Sequence, residues 1–446
     1  MQVGTPKLEQ VYILDTVTGQ PKVFKNSIST GSNLFSLVAE LVLEESIDFP
    51  AIRGTVTITD SADFYRNLMG NEIWVFKFTS GQGVSHTYQL QTYAISSRIR
   101  NEKSELYVIQ LIDPTFLKNE TINVFGAFAD KKCSEYVTDL LTNKKYLGLK
   151  NSLIKVEDTK DPKNFVIPNW RPYDAITFFA DKSIRSVEKG SIYQSGFIFY
   201  HSITGYHFKS IDKMIADINA NSKNPEYSYS PKNISAKAKK QDENSIISVT
   251  FPDTFNSLQN VRNGTWSGSV AGVNPVFMNK SNVTTVNKQI NVANQKYNIV
   301  DMFSKMEHLD NGSIPLNIDD PATKQLLTKS KRTRFKVLPQ NVFSGENNPN
   351  YGNALQTDVS RAAYTYLRKN SMEAIKLSIV VPGNTSLYAG TGIRINIPSM
   401  VATGSGRIEP DLMYSGLYLI ASVRHRYSVN TSTTELFLLK DSIKKK

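Results

Sequence analysis

The chain has 446 residues, 40% of them apolar and 10% aromatic, with a formal net charge of +12. That length holds about two to four domains with real cores, and the ordinary glycine and proline numbers (24 and 18) exclude a fibrous or low-complexity chain. A single cysteine, Cys133, excludes an internal disulfide and suits folding in a reducing compartment.

Met1–Lys7 has no basic head followed by an apolar stretch, so no signal peptide is expected. No window is apolar for long enough to span a bilayer, so membrane insertion is not expected either. Triplets such as Asn282-Val283-Thr284 are then chance matches to a glycosylation site. Much of the positive excess sits in Lys329–Lys336 and Lys444-Lys445-Lys446. Without interleaved aromatics these read as solvated loops rather than a nucleic-acid track.

Residues 34–112 are β-patterned. Leu37, Ala39, Leu41 and Leu43 alternate with Val38, Glu40, Val42 and Glu44, and Ile52, Val56 and Ile58 with Arg53, Thr55, Thr57 and Thr59. That period of two makes strands with one wet face. Asp60-Ser61 ends a strand, Phe64–Met69 makes a short helical turn stopped at Gly70, and Glu72–Thr79, Thr87–Ile99 and Glu105–Ile112 follow as strands. Such closely spaced antiparallel strands predict a small barrel or sandwich.

The pattern then changes. Lys131–Leu141 is a helix candidate, with Cys133 a buried thiol beside Tyr136, Val137 and Leu140. Asn169–Asp174 starts another helix: Pro172 suits the first helical position and Asp174 the positive end of the dipole. Tyr173, Ile176, Phe179, Ala180, Ile184 and Val187 give it one apolar face, and Gly190 closes it. Phe197–Tyr200 and Tyr206–Phe208 flank Ser202–Gly205 as an aromatic hairpin. Asn219–Asn244 is a polar linker.

β-pattern restarts at Ile246–Phe251 and continues weakly over Asn263–Asn287. Residues 288–356 are Asn-rich and irregular, with a helical hint at Ile299–Met306. Phe277, Met278, Tyr297, Met302, Phe303, Phe335 and Phe343, in or beside this stretch, are too many apolar side chains for a solvated linker. It is expected to be a contact surface whose removal leaves the rest folded. A helix over Asp358–Asn370 and strands at Ala374–Val381, Ile393–Ile397, Gly416–Tyr427 and Thr434–Lys440 close the chain.

The last strands repeat the first. Gly70-Asn71-Glu72-Ile73 and Gly390-Thr391-Gly392-Ile393 both lead into a strand. Tyr93–Arg98 parallels Ile420–Arg424, Glu105–Ile109 parallels Glu435–Leu439, and Asp113 parallels Asp441. Three segments in matching order predict a duplication, with residues near 34–115 repeated in 245–285 plus 372–440.

No enzyme motif is present. There is no phosphate loop, Gly390-Thr391-Gly392 precedes a strand instead of opening a helix, and no Gly-x-Ser-x-Gly elbow surrounds Ser267 or Ser269. The five histidines (His86, His201, His207, His308, His425) show no metal spacing. His201 and His207 flank the hairpin turn and read as exposed or stacked residues. Glu44-Glu45 and Asp319-Asp320 are adjacent pairs, which on a strand point to opposite faces. No catalytic, cofactor-binding or metal-ligating residue is assigned, and no cofactor is expected.

The order Trp170-Arg171-Pro172, amphipathic helix, Phe197-Ile198-Phe199-Tyr200, Gly205 and Tyr206–Ile211 resembles the middle of the central baseplate hub protein of contractile-tailed phages, whose fold also opens the type VI secretion spike protein. The β-rich start and the closing Gly416–Ile420 and Glu435–Leu439 resemble its two tube barrels. Residues 288–356 have no counterpart in it. The resemblance implies a mainly β fold with α+β insertions: two homologous small antiparallel β-barrel domains of tail-tube type, the second split by an insertion, plus a helix-and-hairpin domain. The expected division is 1–118 (first barrel), 119–243 (helix and hairpin), 244–287 and 359–446 (second barrel) and 288–358 (insertion).

The implied function is structural, not enzymatic: a homotrimeric ring in the virion, assembled in the host cytoplasm, that adapts a three-fold spike to the six-fold tail tube. Its partners would be a separate central spike protein, the tube protein, the tape measure and neighbouring baseplate proteins. DNA would pass through the lumen at genome ejection without sequence-specific binding. The hub of a phage-derived contractile injection system is an alternative, and a tail-associated cell-wall hydrolase a weaker one.

Overall fold

Alternation of apolar and polar residues builds most of this molecule, and the structure, a computed structural model, shows where each strand goes. It describes residues 6–24, 33–79, 85–160, 162–187, 194–229, 244–252, 257–273, 292–329, 332–338, 351–402, 408–429 and 431–444, and every statement of absence below concerns these residues. The first module contains β1 (Lys7–Leu14), β2 (Val38–Ser46), β3 (Phe49–Asp60), β4 (Ile73–Thr79), β5 (Ser85–Arg100) and β6 (Glu105–Ile112). Leu41, Leu43, Val56, Ile58, Trp74, Phe76, Tyr107 and Ile109 point inward to one core, while Thr55, Thr57 and Glu44 stay on the outer face.

A helix-and-hairpin unit follows. It holds α1 (Pro114–Glu120), β7 (Val124–Lys131), α2 (Cys133–Thr142), β8 (Ile154–Val156), β9 (Lys163–Trp170), α3 (Pro172–Lys182), β10 (Phe197–Ser202), β11 (Gly205–Ser210) and α4 (Ile211–Ala220). Its core is aromatic: Tyr136 stacks on Phe179 at 5.4 Å, and Tyr173 meets Phe199 edge-on at 5.1 Å. Gly205 closes the hairpin with φ +116°, and a Cβ there would lie 2.2 Å from the Leu153 carbonyl oxygen.

Two expectations change in this unit. Helix α3 stops at Lys182, short of Ile184 and Val187. Ser183 turns extended while its hydroxyl bonds the Phe179 carbonyl, and Arg185 is drawn 2.7 Å from Glu157 in a pair nearly closed to solvent. Gly190 lies outside the described residues. Helix α4, not anticipated, has a readable start: Ser210 accepts from the Lys213 amide at 3.1 Å, and Ile211, Met214, Ile215 and Ile218 form a buried stripe.

The remaining strands are β12 (Glu226–Ser228), β13 (Ser248–Thr250), β14 (Ser267–Val273), β15 (Val292–Asn298), β16 (Thr333–Val337), β17 (Ile375–Pro382), β18 (Gly392–Asn396), β19 (Pro398–Ala402), β20 (Ile408–Pro410), β21 (Gly416–Ser428) and β22 (Ser432–Lys440). Strand β12 lies in the stretch expected to be a polar linker. Tyr227 is buried there, and the strand pairs with β18. Residues 230–243 of that linker lie outside the described residues.

The duplication is visible as strand order. The first module reads β4-β5-β6-β3-β2 and the second β18-β21-β22-β17-β13, position for position. They differ at one edge, where β1 pairs antiparallel with β4 but β12 runs parallel to β18. The two modules are not separate sheets. Strand β2 pairs with β21, so both belong to one 12-stranded sheet.

Ser267–Val273, read from sequence as part of the second barrel, goes elsewhere. Strand β14 is the centre of a separate sheet ordered β15-β14-β16. Helix α8 (Tyr351–Met372) covers one face of that sheet, and α5 (Ser257–Asn263), α6 (Ile299–Met302) and α7 (Pro321–Thr328) complete the unit. Gly272 decides the placement, since a Cβ there would lie 2.4 Å from Val359 of α8. Val270, Tyr297, Leu327, Leu355, Val359 and Leu367 then share one core. The insertion therefore has its own hydrophobic centre; Phe277, Met278 and Phe343 lie outside the described residues.

This unit is not a detachable surface. Leu309 is buried among Leu417, Leu439 and the α4 residues Met214 and Ile218. The Asp310 carboxylate accepts from the Leu417 amide at 2.7 Å and from Arg394 at 2.8 Å, and Ser313 bridges to Ile443. On α8, Arg368 is fully buried between Asp441 (2.9 Å) and Asp212 (3.3 Å). Tyr364 donates to Asp212 at 2.8 Å, and His308 Nδ1 lies 2.9 Å from Asp441.

Two outcomes follow from this wiring. Deleting residues 290–355 is expected to lower the thermal midpoint of the second module, because Leu309 and Asp310 leave with the deletion; a midpoint unchanged by calorimetry contradicts the packing described. Replacing Arg368 by Ala strands two buried carboxylates and is expected to cost about 3–5 kcal/mol in urea unfolding, whereas Arg66→Ala, at an exposed pair, is expected to change stability by under about 1 kcal/mol.

Candidate assembly interface

The junction between the modules is built by two strands meeting edge to edge. Glu40 to Ser46 of β2 run antiparallel to Ser428 to Ser422 of β21. On the inner face Leu41 opposes Tyr427, whose ring lies 4.4 Å from Phe78 in the first core. On the outer face Arg424 bonds Glu44 at 2.7 Å, Arg53 reaches Glu44 at 3.4 Å, and Arg426 lies 3.4 Å from Glu40. These charges are partly solvated, so they contribute little energy beyond the ladder and chiefly set register.

Glu45 is the unusual member of that ladder. Glu44 faces solvent and Glu45 faces in, as adjacent strand residues must, and Glu45 is 1% exposed. Its carboxyl accepts from the Ile203 amide of the hairpin turn at 2.9 Å and from the Ala389 amide at 3.3 Å. One side chain thus touches the first module, the helix-and-hairpin unit and the second module. Burial pushes its pKa up to about 7, with those two amides and Tyr88 pulling the other way.

The same ladder exposes two open edges. In β21, residues 416–419 pair with β18 and residues 422–428 pair with β2, both on the edge opposite β22. Strand β5 is its counterpart. Residues 85–91 pair with β4, but residues 92–100 carry no described strand on the edge opposite β6. Tyr93 and Ile99 are half exposed along that edge. Strand β13, the counterpart of β2, pairs only with β17. Sequence reading missed these edges because an unpaired strand and a paired one have the same alternation.

Side chains singled out in the sequence are accounted for structurally. His201 stacks on Tyr206 at 3.9 Å and His207 on Tyr200 at 4.7 Å. His201 Nδ1 lies 2.6 Å from Asp113 Oδ2, while His207 is hydrogen-bonded by Ser202 and Thr204, and burial drops its pKa to about 3. His425, at the module junction, is held at about 4 by burial. Cys133 is buried and its thiol is pushed up by that burial. Among the described residues no three His, Cys, Asp or Glu side chains are grouped for a metal, and no helix is long and apolar enough to cross a membrane.

No protein-family model and no curated protein sequence matches the chain. Solved structures do. The tail protein from Neisseria meningitidis MC58 is 11% identical, with 97% of this chain and 96% of that chain covered at a TM-score of 0.52. The 43 kDa tail protein of prophage MuSo2 from Shewanella oneidensis is 7% identical, covering 97% and 99% at a TM-score of 0.54. The chain thus has the fold of phage tail proteins, over nearly its whole length.

The buried carboxyl gives the junction a pH dependence. A folded-state pKa raised above the ordinary value of 4.5 means that the folded protein holds a proton the unfolded chain releases. Stability from Glu45 is therefore fully present below that value and declines as pH rises through about 7. Glu45→Gln is expected to flatten the fall in urea midpoint across that window, although glutamine keeps only one acceptor for two amides. An unchanged slope in the variant overturns the assignment.

Proposed function

We propose that this chain is the structural hub subunit of a contractile phage tail baseplate, three copies of which close into a ring between a three-fold spike and the six-fold tail tube. One observation carries this reading: the junction that joins the two modules has two unfilled counterparts in the chain's own sheet, one along β5 and one along β13. Placing β13 of one copy against residues 92–100 of β5 in the next repeats the β2–β21 contact. A head-to-tail contact of this kind makes a ring when its rotation closes. Three copies then present six similar modules, which reconciles a three-fold object with a six-fold tube.

In this reading residues 6–118, 226–228 and 244–252 with 372–444 belong to the ring, and the units of residues 119–220 and 257–371 are docked upon it. The outer face of the sheet, with Thr55, Thr57, Thr59, Gln110, Ser378 and Ser422, lines the lumen. Its arginines Arg53, Arg424 and Arg426 are each within reach of a glutamate. A wall of hydroxyls and internally paired charge lets DNA pass without holding it. The spike, the tube protein, the tape measure and neighbouring baseplate proteins are the partners, the role is structural rather than catalytic, and the place is the virion tail after assembly in the host cytoplasm.

Light scattering of the purified chain, alone and with its tail partners, tests the ring. The wild type is expected as a trimer. Of Ala94→Pro and Ile95→Pro, the one whose amide faces the open edge is expected to give folded monomers, while the other breaks pairing with β6 and lowers the thermal midpoint. A wild type that stays monomeric with its partners, or a folded trimer from both variants, sinks the proposal.

A further inference from the structure

Strand β16 is an edge strand of a kind that soluble proteins usually avoid. It lies at the end of the sheet β15-β14-β16, parallel to β14, with no described strand on its other side. Its two faces differ. Arg334 and Lys336 are opposite Val270 and Gly272, on the face that α8 covers. There the Arg334 guanidinium lies 3.4 Å from the Tyr366 ring centroid, donates to the Tyr297 hydroxyl at 2.8 Å and also bonds the Asn263 carbonyl. Arg334 thereby locks the strand to its own unit.

The other face is uncovered. Thr333, Phe335 and Val337 stand beside Ser269, Ala271 and Val273, with the Ser269 and Thr333 hydroxyls 2.8 Å apart. Phe335 is 76% exposed and Val337 71%. Charged side chains on an edge strand ordinarily repel a second strand, but two large apolar residues on the same strand undo that protection. Lysines stand on and beside the strand. Lys296 shares the outer face through its pairing with Ser269, Lys329 precedes the strand and Lys336 lies within it; none of the three forms an ion pair with a described residue.

We propose that β16 receives an extended segment of another protein as a fourth strand, one with apolar side chains over Phe335 and Val337 and carboxylates at its flanks. The backbone edge supplies the ladder, alternate apolar side chains supply the buried area, and the lysines select for acid. A second copy of β16 is a poor occupant, because antiparallel self-pairing about Arg334 sets Arg332 against Lys336. A nucleic acid is a poorer one: Phe335 is the only aromatic side chain on the strand, and single strands need successive stacking platforms. The inference does not depend on the ring, since β16 belongs to neither module.

Calorimetric titration of the full chain with a short peptide alternating valine and glutamate tests it, beside the same peptide with lysine for glutamate. The acidic peptide is expected to bind and the basic one to give no heat. The double variant Phe335→Ser, Val337→Ser is expected to weaken binding by about ten-fold or more with an unchanged thermal midpoint, because both side chains already face solvent. No binding of the acidic peptide, equal binding of both peptides, or an affinity unaffected by the double variant overturns the proposal. So does self-association that the double variant abolishes, or Phe335-dependent binding of single-stranded DNA.

Discussion

Two equivalent aspartates hold this structure together. Asp113 follows β6 and Asp441 follows β22, the same place in the two modules, and each is buried. Asp113 receives the Tyr206 hydroxyl at 2.5 Å and approaches His201, so it docks the hairpin on the first module. Asp441 receives Arg368 at 2.9 Å, His308 at 2.9 Å and the Leu309 amide at 3.1 Å, so it docks the insertion on the second. Burial alone would raise both carboxyls. The charges and donors around them win instead, and hold Asp113 below its ordinary value and Asp441 at about 2. A carboxylate in that setting is a strong site for docking and a poor one for chemistry, because it stays ionised and its oxygens are occupied.

The same logic explains why the units cannot be treated as beads on a string. Asp212 belongs to α4 of the hairpin unit, yet it shares Arg368 with Asp441 and accepts from Tyr364 of α8. Ile47, Tyr200, Leu309, Met372 and Leu419, from all four parts of the chain, are buried in one cluster. Glu45 adds a third polar tie between them. Stiffness between the units comes from buried polar ties whose loss leaves an unpaired charge.

The repeated strand order leaves one contact filled and its counterparts open. The β2–β21 ladder lies inside the chain, while the matching edges of β5 and β13 are left open. Open edges are an aggregation hazard when they are long and apolar. Here the β5 edge carries Arg98 and Arg100 paired with Glu105, which puts charge on the edge without closing it.

Much of the fold was legible in the residues themselves. Alternation placed β2, β3, β6 and β22, Pro172 and Asp174 placed the start of α3, and the three-segment repeat with Asp113 and Asp441 revealed the duplication, because period, capping and turn chemistry are local properties. Ser210 and the 211/214/215/218 stripe could have revealed α4. What tertiary structure decided was everything that depends on a partner strand or a distant charge: that β14 leaves the second barrel because Gly272 lets α8 come close, that α3 ends where Arg185 finds Glu157, and that Arg368 is buried between two aspartates far apart in the chain. The open edges of β5, β13 and β16 belong to the same class, since a strand's own sequence records which face is apolar but not which of its edges is left without a neighbour.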